Sequence, residues 1–176
     1  MQADSMTVIL VRHGEAASAG GAIHTDDERP LTSRGLEDVT SVGRLLARLE
    51  PTPSIILSSP LLRTMQTAHT IASAYAPEIA TSVSPLLRPG VRPGELWDEL
   101  LVMRRAGQST IIIVGHQPDL GNAVSAFACG SSALSISIVP GTAIRLVGRV
   151  SGGRPEAILH WIITPGMARS VTGIVS

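Results

Sequence analysis

The run Val8-Ile9-Leu10-Val11 constrains this chain more than any other stretch. Four apolar residues, three of them β-branched, read as a strand buried on both faces. The run stops abruptly at Arg12-His13-Gly14-Glu15. A buried strand that ends this way delivers a cation and an imidazole to the edge of a sheet. What else reaches that edge decides what the chain can do.

The remaining chain alternates strand and helix signals. Residues 1–6 read as a loose lead, and Thr7 to Val11 as the first strand. A polar loop follows from Gly14 to Leu31. Thr32 is a good N-cap for a helix whose apolar positions are Leu36, Val39, Gly43, Leu46 and Leu49. Pro51 and Pro53 end it. Ser54 to Leu57 reads as a second strand. Ser58-Ser59-Pro60 reads as a cap plus a proline at the first helical position, opening a helix that carries Leu61, Leu62, Met65, Ala68, Ala72 and Tyr75. Thr81 to Leu87 reads as a third strand and Arg88 to Gly94 as a rigid polar loop. Glu95 to Ala106 reads as a helix.

Thr110 to Val114 is the most apolar strand and is expected to be central. Gly115-His116-Gln117-Pro118 follows it, with Pro118 opening a helix through Phe127. Ala143 to Val150 and Ala157 to Thr164 read as an antiparallel hairpin. Residues 166–176 show no pattern and are expected to form an irregular tail. The sum predicts one α/β domain over residues 1–176: a three-layer α/β/α sandwich, its mostly parallel sheet of about six strands ending in an antiparallel edge.

Composition narrows the function classes. A length of 176 residues with 44% apolar content suits one well-filled core. All fourteen basic residues are arginine, so mechanisms that need a lysine are excluded, a Walker-type phosphate loop and Schiff-base chemistry among them. Formal net charge is zero, which gives nucleic-acid binding no electrostatic support. Cys129 is the single cysteine, so neither an intramolecular disulfide nor a cysteine-rich metal site is expected. The sequence carries no signal-peptide pattern and no apolar run long enough to span a bilayer. A cytoplasmic protein with no membrane partner is expected.

In open α/β sheets, ligands bind beyond the carboxyl ends of the strands. Three strands here end in chemistry-bearing residues: Arg12-His13, then Ser58-Ser59-Pro60 with Arg63, then His116. Two arginines present planar forks that match phosphate oxygens. They also disfavour protonation of a nearby imidazole, and a neutral imidazole is a nucleophile. The set fits phosphoryl transfer through covalent histidine catalysis, with His116 as a hydrogen-bond donor to the phosphoryl group.

Four motifs then carry a resemblance. Leu-Val-Arg-His-Gly-Glu-Ala, Leu-Thr-x-x-Gly at Leu31 to Gly35, Ser-Ser-Pro-x-x-Arg-x-x-x-Thr-Ala at Ser58 to Ala68, and Val-Gly-His-x-Pro at Val114 to Pro118 together resemble the histidine phosphatase superfamily, which has the phosphoglycerate-mutase-like fold. The resemblance implies a catalytic set of Arg12, His13, Arg63 and His116. Arg12, Arg63 and His116 would hold phosphate, His13 would be phosphorylated transiently, and neither metal nor cofactor would be needed. The short chain and the Leu87-Arg88-Pro89 turn most resemble the SixA-type phosphohistidine phosphatases. Mutase-like members carry a glutamate acid where Arg88 stands and an asparagine where Ala19 stands.

The leading expectation is therefore a metal-independent phosphatase acting on phosphohistidine of a protein partner. Alternatives are a small-molecule phosphomonoesterase of the same superfamily and a non-catalytic phosphate- or phosphohistidine-binding module. The proton donor stays open. Glu15 and Glu95 are candidates for an acid or supporting residue, Glu15 more readily as a supporting one; Asp26 and Asp27 are the remaining acid candidates, and they and Glu95 are more simply read as solvated or capping. His24 and His69 read as surface residues. The sequence leaves oligomeric state unspecified.

Overall fold

The buried strands of this chain need a helix on either face, and the structure supplies five. The computed structural model describes residues 5–21, 23–77, 79–131, 136–149 and 155–173. Its strands are β1 (Ser5–Arg12), β2 (Ile55–Ser58), β3 (Thr81–Val83), β4 (Thr110–Gly115), β5 (Ala143–Arg149) and β6 (Ala157–Ile163). Its helices are α1 (Ser33–Leu49), α2 (Leu62–Ala72), α3 (Pro93–Arg105), α4 (Asp119–Cys129) and α5 (Pro165–Thr172).

The strands form one sheet in the order β3-β2-β4-β1-β5-β6. β1, β2, β3 and β4 pair in parallel, and β5 runs antiparallel to both β1 and β6. Side chains alternate across the sheet, so each face has its own core. Val8, Leu10, Ile111 and Ile113 pack with Leu96, Trp97, Leu100 and Phe127 of α3 and α4. Ile9, Val11, Ile112 and Val114 pack with Val42, Leu46, Ile71 and Ala168 of α1, α2 and α5. Every residue of β4 is buried. Each such aliphatic side chain contributes about 1.5–3 kcal/mol, which holds β1 and β4 at the centre.

Among the boundaries that differ from the sequence reading, four change how the chain packs; α3 merely starts two residues earlier, at Pro93. Ser5 and Met6 belong to β1, and Met6 is 1% exposed, because strand β5 pairs as far as Ser5; residues 1–4 lie outside the described set. β3 ends at Val83, and Pro85 to Leu87 form a 3-10 turn; Pro85 has no N–H to continue a ladder. Helix α2 begins at Leu62 rather than Pro60. Ser59 is still held by the sheet, its N–H donating to the Val114 carbonyl at 3.1 Å, and Leu61 stands at the N-cap position instead.

The fourth difference is the C-terminal stretch. Thr164 caps α5, accepting the Met167 N–H at 3.4 Å, with Pro165 at the first helical position. Helix α5 lies against α1, with Ala168 fully buried and Arg169 paired with Asp38. The expected hairpin is present as the β5–β6 pair.

Candidate active site

The site is built on the central rung of the sheet. Arg12 stands opposite Gly115 in the β1–β4 register. The His13 N–H donates to the Gly115 carbonyl at 3.1 Å. On the other side, the Gly141 N–H donates to the carbonyls of Arg12 and His13 at 3.1 and 3.0 Å. The backbone that carries Arg12 and His13 is therefore fastened on both flanks. His116 follows β4 directly, so the sheet itself sets its distance from His13.

Gly14 and Gly35 explain why two distant motifs occur together. A Cβ on Gly35 would lie 2.1 Å from the Glu15 carbonyl oxygen, and one on Gly14 would lie 2.8 Å from Val39 and 2.9 Å from the Gly35 oxygen. Loop and helix meet backbone to backbone, which only glycine permits. Thr32 and Thr67 complete the seam. The Thr32 N–H donates to the Glu15 carbonyl at 2.9 Å, and the Gly14 N–H to Thr67 Oγ1 at 3.1 Å.

His13 Nδ1 lies 2.7 Å from the Gly14 carbonyl oxygen. A carbonyl only accepts, so Nδ1 carries the proton and Nε2 keeps its lone pair. Burial lowers the His13 pKa to about 4, opposed by the Gly14 bond and assisted by Arg63, Arg12 and Arg29. The His116 ring is 4% exposed, and its Nε2 pairs with Ser59 Oγ at 2.9 Å. Burial, then His13 and Arg63, lower the His116 pKa to about 4 as well. The two ring centroids are 5.3 Å apart.

Arg12 and Arg63 are held in the same way. Arg12 Nη1 donates to the Ile138 carbonyl, and Arg63 Nη1 donates to the Asp26 carbonyl at 2.7 Å. Each leaves its Nε–H buried without a hydrogen-bond partner among the described residues. Buried polar groups are ordinarily satisfied. Two unpaired cationic donors call for an acceptor, and an anion with several oxygens has the chemistry to supply one.

These features have counterparts in known proteins. The family model for the histidine phosphatase superfamily (branch 1) matches residues 8–88. Over 131 residues the chain is 35% identical to an uncharacterized protein of Picosynechococcus, which covers 72% of this chain and 76% of that protein. The chain belongs to the histidine phosphatase superfamily. It is 26% identical over 127 residues to phosphohistidine phosphatase SixA of Escherichia coli, covering 72% of this chain and 77% of that one. The structure of the protein histidine phosphatase SixA complexed with tungstate superposes with a TM-score of 0.81 at 23% identity, covering 92% of this chain and 98% of that one. The fold is thus the phosphoglycerate-mutase-like α/β fold expected, and the chain is a phosphatase of that superfamily, with SixA proteins among its relatives.

The structure of this histidine phosphatase gathers Arg12, His13 and His116 at one strand end, with Arg63 close enough for its charge to bear on both rings. It does not bring Glu95 to the site. That carboxylate is committed to the N-terminus of α3, accepting the Arg92 N–H at 3.0 Å and pairing with the Arg92 guanidinium at 2.5 Å. Glu15 is exposed and contributes its backbone; its carboxylate has no partner among the described residues. Asp27 pairs with Arg88 at 2.8 Å on the exposed rim.

Three further residues have roles that the sequence reading did not give them. Ser59 holds His116 and does not cap α2. Arg29 adds its charge to the field at His13. Asp26 reaches both Arg29 and Arg63, each at 2.8 Å. The Arg-Pro-Leu-Thr stretch at Arg29 to Thr32 was the available signal, since it carries a cation immediately before the seam with Gly14. Among the described residues no group of three or more His, Cys, Asp or Glu could hold a metal ion, and no helix is long and apolar enough to cross a membrane.

Proposed function

We propose that this phosphatase removes the phosphoryl group from phosphohistidine on a protein partner, through a phospho-His13 intermediate and without a metal ion. The observation that carries this reading is the His13 ring: proton tied at Nδ1, lone pair free at Nε2, and neutral beside two arginines. Arg12 and Arg63 receive the phosphoryl oxygens on their free Nε–H groups and neutralise charge as it spreads in the transition state. His13 Nε2 attacks phosphorus in line as the substrate P–N bond breaks. The departing imidazole takes up a proton, which it does readily near neutral pH. Water then attacks phospho-His13, the second P–N bond breaks, and phosphate leaves. His116, held by Ser59, donates to a phosphoryl oxygen.

A phosphohistidine substrate fits the carboxylates that are present. An alkoxide leaving group needs a general acid in the site, whereas a phosphohistidine ring is basic enough to take its proton from solvent near neutral pH and needs less help. Glu95 is occupied elsewhere, and Arg88 occupies the position at which mutase-like members hold their glutamate. The names of the relatives point the same way, since the Escherichia coli protein is a phosphohistidine phosphatase.

The test is a rapid-quench reaction with a radiolabelled phosphohistidine protein, run beside an aryl phosphate and an alkyl phosphate. Wild type should acquire an acid-labile, base-stable label that His13→Ala lacks. Efficiency should be higher on the phosphohistidine protein than on the alkyl phosphate, and a chelator should leave it unchanged. Higher efficiency on the alkyl ester would favour a small-molecule phosphomonoesterase. Phosphate binding with no turnover would favour a binding module.

A further inference from the structure

Among the described residues Asp26 is the carboxylate that reaches into the cationic cluster. It sits at the start of a 3-10 turn, Asp26–Glu28, in the loop that follows His13. Its Oδ1 accepts from Arg29 Nη1 at 2.8 Å and its Oδ2 from Arg63 Nη2 at 2.8 Å. Its backbone carbonyl also takes Arg63 Nη1 at 2.7 Å. Both terminal nitrogens of Arg63 are thereby engaged by one residue, and Nε is the nitrogen left free and buried. The Asp26 side chain is 56% exposed while that of Arg63 is 6% exposed, so the carboxylate approaches from the solvent side and grips a buried cation.

The turn is built to hold this grip. Glu28 Oε2 accepts the N–H groups of His24 and Thr25, each at 3.2 Å. Arg29 Nε donates to the Ala17 carbonyl at 2.6 Å, and Asp27 is tied to Arg88. A planar guanidinium can face an anion end-on through two Nη groups or side-on through Nε and one Nη. With the end-on edge taken, the side-on edge is presented. Without a negative charge between them, Arg29 and Arg63 would also repel each other at close range.

We infer that Asp26 is a positioning residue: it bridges Arg29 and Arg63 and turns the Arg63 guanidinium side-on to the phosphoryl group. This rests on the phosphatase reading given above, in which Arg63 binds the transferred group. Asp26 itself touches no reacting atom; it acts through Arg63.

The experiment is a double-mutant cycle on phosphoenzyme formation and on aryl phosphate turnover. Asp26→Ala should lower kcat/KM roughly ten- to a hundredfold, the range expected for one charge-assisted bond, with most of the loss in kcat. Asp26→Glu should recover part of that loss. In an Arg63→Ala background, Asp26→Ala should cost nothing further, because the pathway of its action is already gone. An equal loss in both backgrounds would overturn the inference, as would an Asp26→Ala enzyme as fast as wild type or faster. Circular dichroism and thermal melting check that each variant folds, and Arg29→Ala supplies a second route by removing the other half of the bridge. Absence of label on wild-type His13 would defeat the phosphatase mechanism itself. Normal labelling with an unaffected Asp26→Ala would defeat only the role of Asp26.

Discussion

The imidazoles of His13 and His116 face one another with centroids 5.3 Å apart and planes tilted by 58°. His116 is buried and His13 half-buried, and each pKa is lowered to about 4. Two facing rings of this kind cannot both carry a proton cheaply.

The first prediction is an acid limb displaced far below the ordinary histidine range. The nucleophile is His13 in its neutral form, so kcat/KM should hold level as pH falls through 6.5 and decline only as it nears about 4. The same shift bears on stability. The unfolded chain binds protons at these histidines between pH 6.5 and about 4 while the folded chain does not, so stability should fall as pH drops through that window. A pH–rate profile corrected for substrate ionisation, and thermal melts over the same range, check both. An acid limb near 6.5 would refute the shift.

Gly35→Ala should damage the protein out of proportion to one methyl group. The added Cβ would stand 2.1 Å from the Glu15 carbonyl oxygen, a backbone atom with nowhere to retreat. A loss of about 1–3 kcal/mol or more is expected, with a fall in activity because the displaced loop begins at His13. Gly94→Ala is the control. Nothing lies within 4 Å of its Cβ position, and alanine favours the helix it opens. Urea denaturation of the two variants separates them.

Ser59→Ala should loosen His116. It leaves the buried Nε2 without the oxygen that now lies 2.9 Å away. The expected cost is about 1–3 kcal/mol of stability, with turnover reduced by roughly tenfold if the ring loses its orientation. Steady-state kinetics on an aryl phosphate read the second effect, and Ser59→Thr, which retains the hydroxyl, should lose less.

Thr164→Ala should lower stability by about 1 kcal/mol, the usual value of a lost helix cap. Thr164 accepts the Met167 N–H, and the helix it opens buries Ala168 against α1. A shift of the urea midpoint at constant slope checks this. No shift would mean that the segment after Thr164 does not hold its helix in solution.

Much of this architecture was legible in the residue pattern, for reasons that differ by element. β1 and β4 stood out because Val8 to Val11 and Ile111 to Val114 are buried on both faces and so are apolar at every position. Arg12, His13 and His116 inherit that clarity, since each is placed by the strand it follows or ends. Helix α5 was not legible because its eight residues bury only Pro165 and Ala168, too few to make a stripe. Ser59 was misread because a serine before a proline has the composition of a cap. What it does instead depends on a histidine 57 residues further on. Asp26 was weighed only as an acid or a solvated charge. Its partner Arg29 closes a short turn that has no periodicity to read, and Arg63 lies 37 residues beyond Asp26, in α2.

The register of β1 against β4 has one more outcome. Because Arg12 and His13 are stitched to Gly115 and Gly141 by main-chain bonds, the reacting groups cannot drift apart while the sheet stands. The spacing of the two imidazoles should therefore be lost only with the global unfolding transition. Asp26, by contrast, grips Arg63 from a loop outside the sheet. Changes in that loop can thus alter how the anion is held while the distance between His13 and His116 stays fixed.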